Sequence, residues 1–186
     1  YLDKNYTENS DKIDSFFKNK NWVKATVLSN NFYSKCKTVL PFHLFRGAEL
    51  NAIFANNEKA YYFLERLASD KNFVYYDKVE NAPAFIKVSS NERFRNIIEI
   101  IRNNWKKYID TFEKKEIANE LFEIYNADQR KRYQYLFFES KLDSFINKEK
   151  FEKEIANQDR INQARILKLI EKNGWLSVNQ VGLLNE

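Results

Sequence analysis

Apolar residues recur at steps of three and four along most of the chain, the spacing that gathers them on one side of an α-helix. Ile13, Phe16 and Phe17, then Trp22, Ala25, Leu28, Phe32 and Tyr33, predict two helices within residues 9–37, joined near Asn19–Asn21. Pro41 permits a fresh start, and Leu44, Phe45, Ala48, Ala52 and Ile53 mark a third helix over 42–55. Asn56–Asn57 reads as a turn before a fourth, over 58–69, with Ala60, Phe63, Leu64 and Leu67 inward. Residues 91–109 carry Phe94, Ile97, Ile98, Ile101 and Trp105 on one side, with Ser89 or Ser90 as the expected cap. A longer helix over 113–140 has the stripe Ile117, Leu121, Tyr125, Asp128, Arg132 and Tyr135. The last long segment, 153–173, has Ile155, Asp159, Asn162, Ile166 and then Leu169 or Ile170 on one stripe. Residues 142–147 either connect these two or begin the second. Gly174 is placed to end it in a left-handed cap, with Trp175 expected to fold back on the final turn.

The expectation is an all-α protein. Short antiparallel helices with two-residue joints are the grammar of helical-hairpin repeats. The segment Asn57-Glu58-Lys59-Ala60-Tyr61-Tyr62-Phe63-Leu64-Glu65-Arg66-Leu67 resembles the second helix of a tetratricopeptide-like repeat. Residues 75–79, 83–88 and 91–94 resemble the irregular close that follows such a repeat in bacterial proteins. Residues 1–110 are therefore expected to form a tetratricopeptide-like hairpin region. Residues 111–186 are expected to form a small bundle of longer helices, with one continuous unit as the alternative to two parts. What the first resemblance implies is a groove for a protein or peptide partner. Its candidate lining residues are the aromatics Tyr61, Tyr62, Tyr75 and Tyr76.

Composition narrows the chemistry. With 186 residues there is length for a real core. Only 3 Gly and 2 Pro leave helices seldom broken. The formal charge of +5 is a mild bias spread among 26 acidic residues, which argues against a nucleic-acid partner. One cysteine, Cys36, excludes an internal disulfide, and one histidine, His43, excludes a multi-histidine metal centre. Both are read as packing residues, His43 alternatively as a cap. No glycine loop can cradle a phosphate, no cofactor or metal is implied, and no apolar run approaches the ~20 residues of a membrane span. The residue usage suggests an AT-rich bacterial genome. The absence of Met even at position 1 suggests a processed or trimmed chain, for which a removed export signal is one explanation.

Two long helices each bring a polar pair onto an inward stripe: Asp128 with Arg132, and Asp159 with Asn162. Asp and Arg at i and i+4 can meet along one helix. If the helices pack antiparallel, Arg132 also reaches Asp159, and Asn162 fills the remaining hydrogen bonds. The same residues resemble an uncharacterised bacterial helical domain of unknown function. That match rests on Asp128-Gln129 with Arg132, Asp159-x-x-Asn162, Leu169-Ile170, Gly174-Trp175 and Val181-Gly182. Domains of that kind continue past the Val-Gly step into a helix with a histidine near its end. The present sequence reaches Glu186 without one, so a catalytic role resting on it is not implied. The expected function is a protein-binding or scaffold module. The alternative is a hydrolase-like enzyme, or a small-ligand or metal site, built on Asp128, Arg132, Asp159 and Asn162.

Overall fold

A computed structural model describes residues 4–140 and 148–182. The protein is all-α: among the described residues there are helices and turns and no strand. In chain order the helices are α1 (Lys4–Lys18), α2 (Trp22–Tyr33), α3 (Pro41–Ile53), α4 (Asn57–Ser69), α5 (Tyr76–Glu80), a 3-10 turn (Pro83–Phe85), α6 (Glu92–Ile109), α7 (Lys115–Ser140), α8 (Lys148–Asn173) and α9 (Val178–Val181). The segment 142–147, for which a connection or a helix start is expected, lies outside the described residues.

The chain divides into two compact units that are discontinuous in sequence. The first takes the chain up to Phe73 together with Pro83–Ile101; the second takes Val74–Ala82 and the chain from Arg102 onward.

In the first unit α1 pairs with α2, α2 with α3 and α3 with α4. The α1–α2 joint and the α3–α4 joint are built alike. At the first, Lys20 takes a left-handed φ of 59°. The Lys20 amide donates to Phe17 O (3.0 Å), and the Asn21 amide to Phe16 O (2.8 Å). At the second, Ala55 has φ 57°. Ala55 N–H donates to Ala52 O (3.1 Å), and Asn56 N–H to Asn51 O (2.9 Å). This is the Schellman closure of a helix C-terminus. Asn21 and Asn56 then each cap the next helix, their side-chain oxygens accepting from Lys24 and Lys59 amides at 3.4 Å.

Three further contacts lock this unit. Gly47 of α3 lies where a Cβ would come within 3.1 Å of Ser29 Oγ and 3.2 Å of the Phe63 ring, so α2 and α4 close on α3 there. Asn30 and Asn51 exchange amide hydrogen bonds of 2.9 and 2.7 Å between α2 and α3. Arg66 of α4 donates to Tyr33 O (2.7 Å) at the end of α2 and to Cys36 O (2.9 Å) just beyond it, a cation at the helix C-terminus. Ahead of α6 the capping residue is Asn91, whose Oδ1 accepts from Arg93 N–H at 2.8 Å. Neither expected serine caps it; the Ser89 hydroxyl donates back to Ile86 O at 2.9 Å.

The second unit has α7 at its centre. On one side Trp105 stacks on Phe122 at 3.8 Å between ring centroids, and Tyr75 and Tyr76 pack on the same Phe122. Along its other side lies α8. The contacts Glu120–Arg165, Ile124–Asn162, Lys131–Glu154 and Tyr135–Phe151 step up one helix and down the other, so the pair is antiparallel. Gly174 ends α8 with φ 71°, its amide donating to Ile170 O at 2.8 Å. Trp175 does not fold back on that turn: it is 87% exposed. α9 packs on α7, with Lys114 N–H donating to Gln180 O at 3.1 Å.

Candidate functional site

The α7–α8 seam brings Asp128, Arg132 and Asp159 together. One turn of α7 puts Arg132 over Asp128, where Nε and Nη2 fork onto the two carboxylate oxygens at 3.2 Å each. The antiparallel neighbour supplies Asp159, whose Oδ1 accepts from Arg132 Nη2 at 2.6 Å. The carboxylates, Asp128 foremost, hold the guanidinium above its already high proton affinity. Gln129 adds a donor to Asp128 at 2.9 Å.

The stripe is less inward than its periodicity predicts. The side chains of Arg132 and Asp159 are 42% and 45% exposed and that of Asp128 is 27% exposed. Ile166, expected inward, is also exposed. The face of α8 that meets α7 runs instead through Phe151, Ile155, Gln158, Asn162 and Leu169, rotated slightly from the expected stripe. Asn162 does lie on it and is buried, but it does not serve the carboxylates. Its Nδ2 donates to Ile124 O of α7 at 3.3 Å, and its Oδ1 accepts from Gln158 at 2.9 Å. The cluster therefore splits into a solvent-edge ion triad and a buried amide one turn away. Within the triad each carboxylate is matched by the same guanidinium. Among the described residues, no three acidic, cysteine or histidine side chains converge as metal ligands would.

The four candidate tyrosines occupy packed positions. Tyr61 is buried in the first unit with the Arg93 guanidinium 4.8 Å from its ring centre. Tyr62 is partly buried, with Lys59 Nζ 4.3 Å from its ring centre and its hydroxyl donating to Ser34 O at 3.4 Å. Tyr75 and Tyr76 belong to the second unit, against Phe122. Burial, with Glu123 beside it, pushes the Tyr76 phenol up to about 12.

His43 is a packing residue, as one of its two sequence readings has it. Tyr33 stacks on it at 5.3 Å. The Tyr6 hydroxyl accepts from Leu40 N–H at 2.9 Å and lies 2.7 Å from His43 Nδ1. Burial lowers the imidazole pKa. Cys36, expected inside, is only partly buried.

A cavity of about 120 Å³ opens between α5 and α7, lined by Asp77, Lys78, Asn81, Tyr125, Asn126, Gln129, Arg130 and Tyr133. Asp77, itself buried, is bound by the Arg130 guanidinium and accepts from Asn81 Nδ2 at 3.0 Å. Asn126 is only 3% exposed, and its Nδ2 finds no hydrogen-bond acceptor among the described residues. A buried amide left so costs ~1–3 kcal/mol unless an occupant satisfies it.

The sequence pattern did not single out this cavity. Its one trace there is that Phe122, Asn126, Gln129 and Tyr133 form a second stripe on α7, apolar at one end and polar at the other. Asp77 lies more than forty residues away on a helix of one turn and left no periodic trace.

No protein-family model, curated protein or solved structure matches the chain. What it does must be read from its own geometry.

Proposed function

We propose that the chain is a protein-binding or scaffold module whose first unit is a tetratricopeptide-like array of helical hairpins. The observation that carries this is the recurrence of one joint. The left-handed residue, the paired Schellman bonds and the asparagine cap at Lys20–Asn21 return at Ala55–Asn56, about one tetratricopeptide repeat length later. A small residue follows each cap at the same offset, Ala25 and Ala60, and both are buried. Gly47 adds the close approach that hairpin stacking needs. Stacked hairpins present an elongated surface, and recognition of an extended peptide or a partner helix is what such surfaces do best. Tyr62 stays the strongest of the aromatic candidates on this unit, since Tyr61 is spent on packing.

Selection of displayed random peptides on the immobilised full chain tests the proposal. The expected result is a related set of sequences that bind one to one in calorimetry and lose affinity on Tyr62→Ala. No enrichment above that on an unrelated helical bundle would sink the reading.

A further inference from the structure

We propose that the outer face of α2 docks an acidic peptide with aliphatic side chains. The proposal rests on the first unit being a protein-binding module. Its first support is where the charge lies. Residues 15–69 hold 8 lysines and arginines against 3 acidic residues, a net +5 equal to that of the whole chain. Elsewhere 23 basic and 23 acidic residues cancel. No Asp or Glu occurs between Asp14 and Glu49, a stretch that carries Lys18, Lys20, Lys24, Lys35 and Lys37, all exposed. The three acids do not offset them. Glu49 is buried, with Arg46 Nε at 3.7 Å, and Glu58 and Glu65 bind Arg93 at 2.8 and 2.7 Å. The far end of α2 is positive too, because Arg66 sits on Tyr33 O, where the helix dipole presents its negative pole.

The second support is apolar. The buried residues of α2 are Ala25, Ser29 and Tyr33; Val27 lies opposite them, with Val23 one turn before it. Val23 and Val27 are 62% and 55% exposed. A β-branched residue on the outer face of a helix gains no burial and forms helix less readily than alanine or lysine. Folding does not account for this pair. Lys24 and Asn31 are exposed on the same side, and Tyr62 stands at the far end, its hydroxyl donating to Ser34 O at 3.4 Å. The face is an aliphatic ridge between lysines.

Charge complementarity names the occupant. Carboxylates of a peptide would meet Lys20 and Lys24 near one end of α2 and Lys35 at the other, and its aliphatic side chains the two valines. A nucleic-acid strand has phosphates for the lysines but stacks its bases on aromatic rings, which an isopropyl group does not replace. An anionic membrane calls for a broader apolar face than two valines.

Fluorescence anisotropy on the full chain is the test, with a labelled amphipathic helix of glutamate and leucine as probe. About fifteen residues of it would cover the length of α2. Comparison probes are the same peptide with lysine for glutamate or with serine for leucine, a single-stranded DNA of similar charge, and phosphatidylserine vesicles. The expected result is saturable one-to-one binding of the glutamate–leucine peptide, weakened about tenfold or more by either replacement and declining as salt rises. Lys20→Glu with Lys24→Glu should weaken it by about tenfold or more, and so should Val23→Ser with Val27→Ser. The same charge reversal at Lys168 and Lys172 of α8 should leave it unchanged. Should the reversal on α2 prevent folding, Lys20→Gln with Lys24→Gln takes its place. A lack of saturation, or unchanged binding in the folded α2 variants, would overturn the proposal. Tighter binding of the DNA or the vesicles would overturn the peptide assignment. If selected random peptides prove neither acidic nor sensitive to the α2 variants, the binding module stands and this inference falls. No ligand from either experiment removes both.

Discussion

At the scale of single residues, two positions make opposite demands on the chain. Ala55 holds a left-handed φ of 57° with a Cβ that disfavours it. Ala55→Gly should therefore stabilise the protein by up to ~1 kcal/mol, read from the shift of the denaturant midpoint. His43 acts through its protonation. Its folded pKa lies below the unfolded value of about 6.5, because burial penalises the imidazolium. The unfolded chain then binds more protons in the window below that value, so stability is intact above pH ~6.5 and falls as the pH drops toward the folded pKa. Denaturation in urea at pH 5 and pH 7.5 should show this loss, and His43→Gln should reduce it. A variant with the same pH slope as the native chain would mean that His43 is not its source.

At the scale of helices, the α7–α8 seam separates buried from exposed polar chemistry. Arg132→Leu and Asp159→Asn break an ion triad whose members at the edge are more than a third exposed. Each should cost no more than ~1 kcal/mol and less at high salt, as exposed pairs do. Asn162→Ala should cost more, ~1–3 kcal/mol, because it removes the buried amide that holds Ile124 O and Gln158. Thermal unfolding of the three variants at two salt concentrations orders them. If Arg132→Leu proves the most damaging, the triad is the structural centre of the seam after all. The helices themselves were legible because apolar spacing of three and four is a local property. Which way each stripe faces was less so, since α7 is packed along more than one side. Its Phe122 face and its Ile124 face compete in any single periodic reading.

At the scale of the whole molecule, the second unit is built from chain segments far apart in sequence, Val74–Ala82 beside Arg102 and beyond. Phe122 is the hub, with Trp105, Tyr75 and Tyr76 on it. Phe122→Ala should cost ~3–5 kcal/mol, since a fully buried ring leaves a cavity behind. Amide hydrogen exchange should accelerate in α5 and α7. Exchange rates unchanged in α5 would argue that it does not depend on that hub.

Local rules were sufficient for the all-α class and the order of the longer helices. Low glycine and proline content, helical spacing, asparagines at the joints and Gly174 after α8 are all read within a few residues of one another, and helix formation obeys interactions of that range. The Arg132–Asp159 contact was also foreseeable, since an antiparallel partner is the simplest geometry for two long neighbouring helices. Tertiary structure alone decided the rest. It turned Asp159 toward solvent and Asn162 inward, left Trp175 exposed, and joined Asp77 of a one-turn helix to Arg130 of α7. A side chain's burial and its partners depend on what packs against it from distant parts of the chain, and periodicity along one helix carries no record of that neighbour.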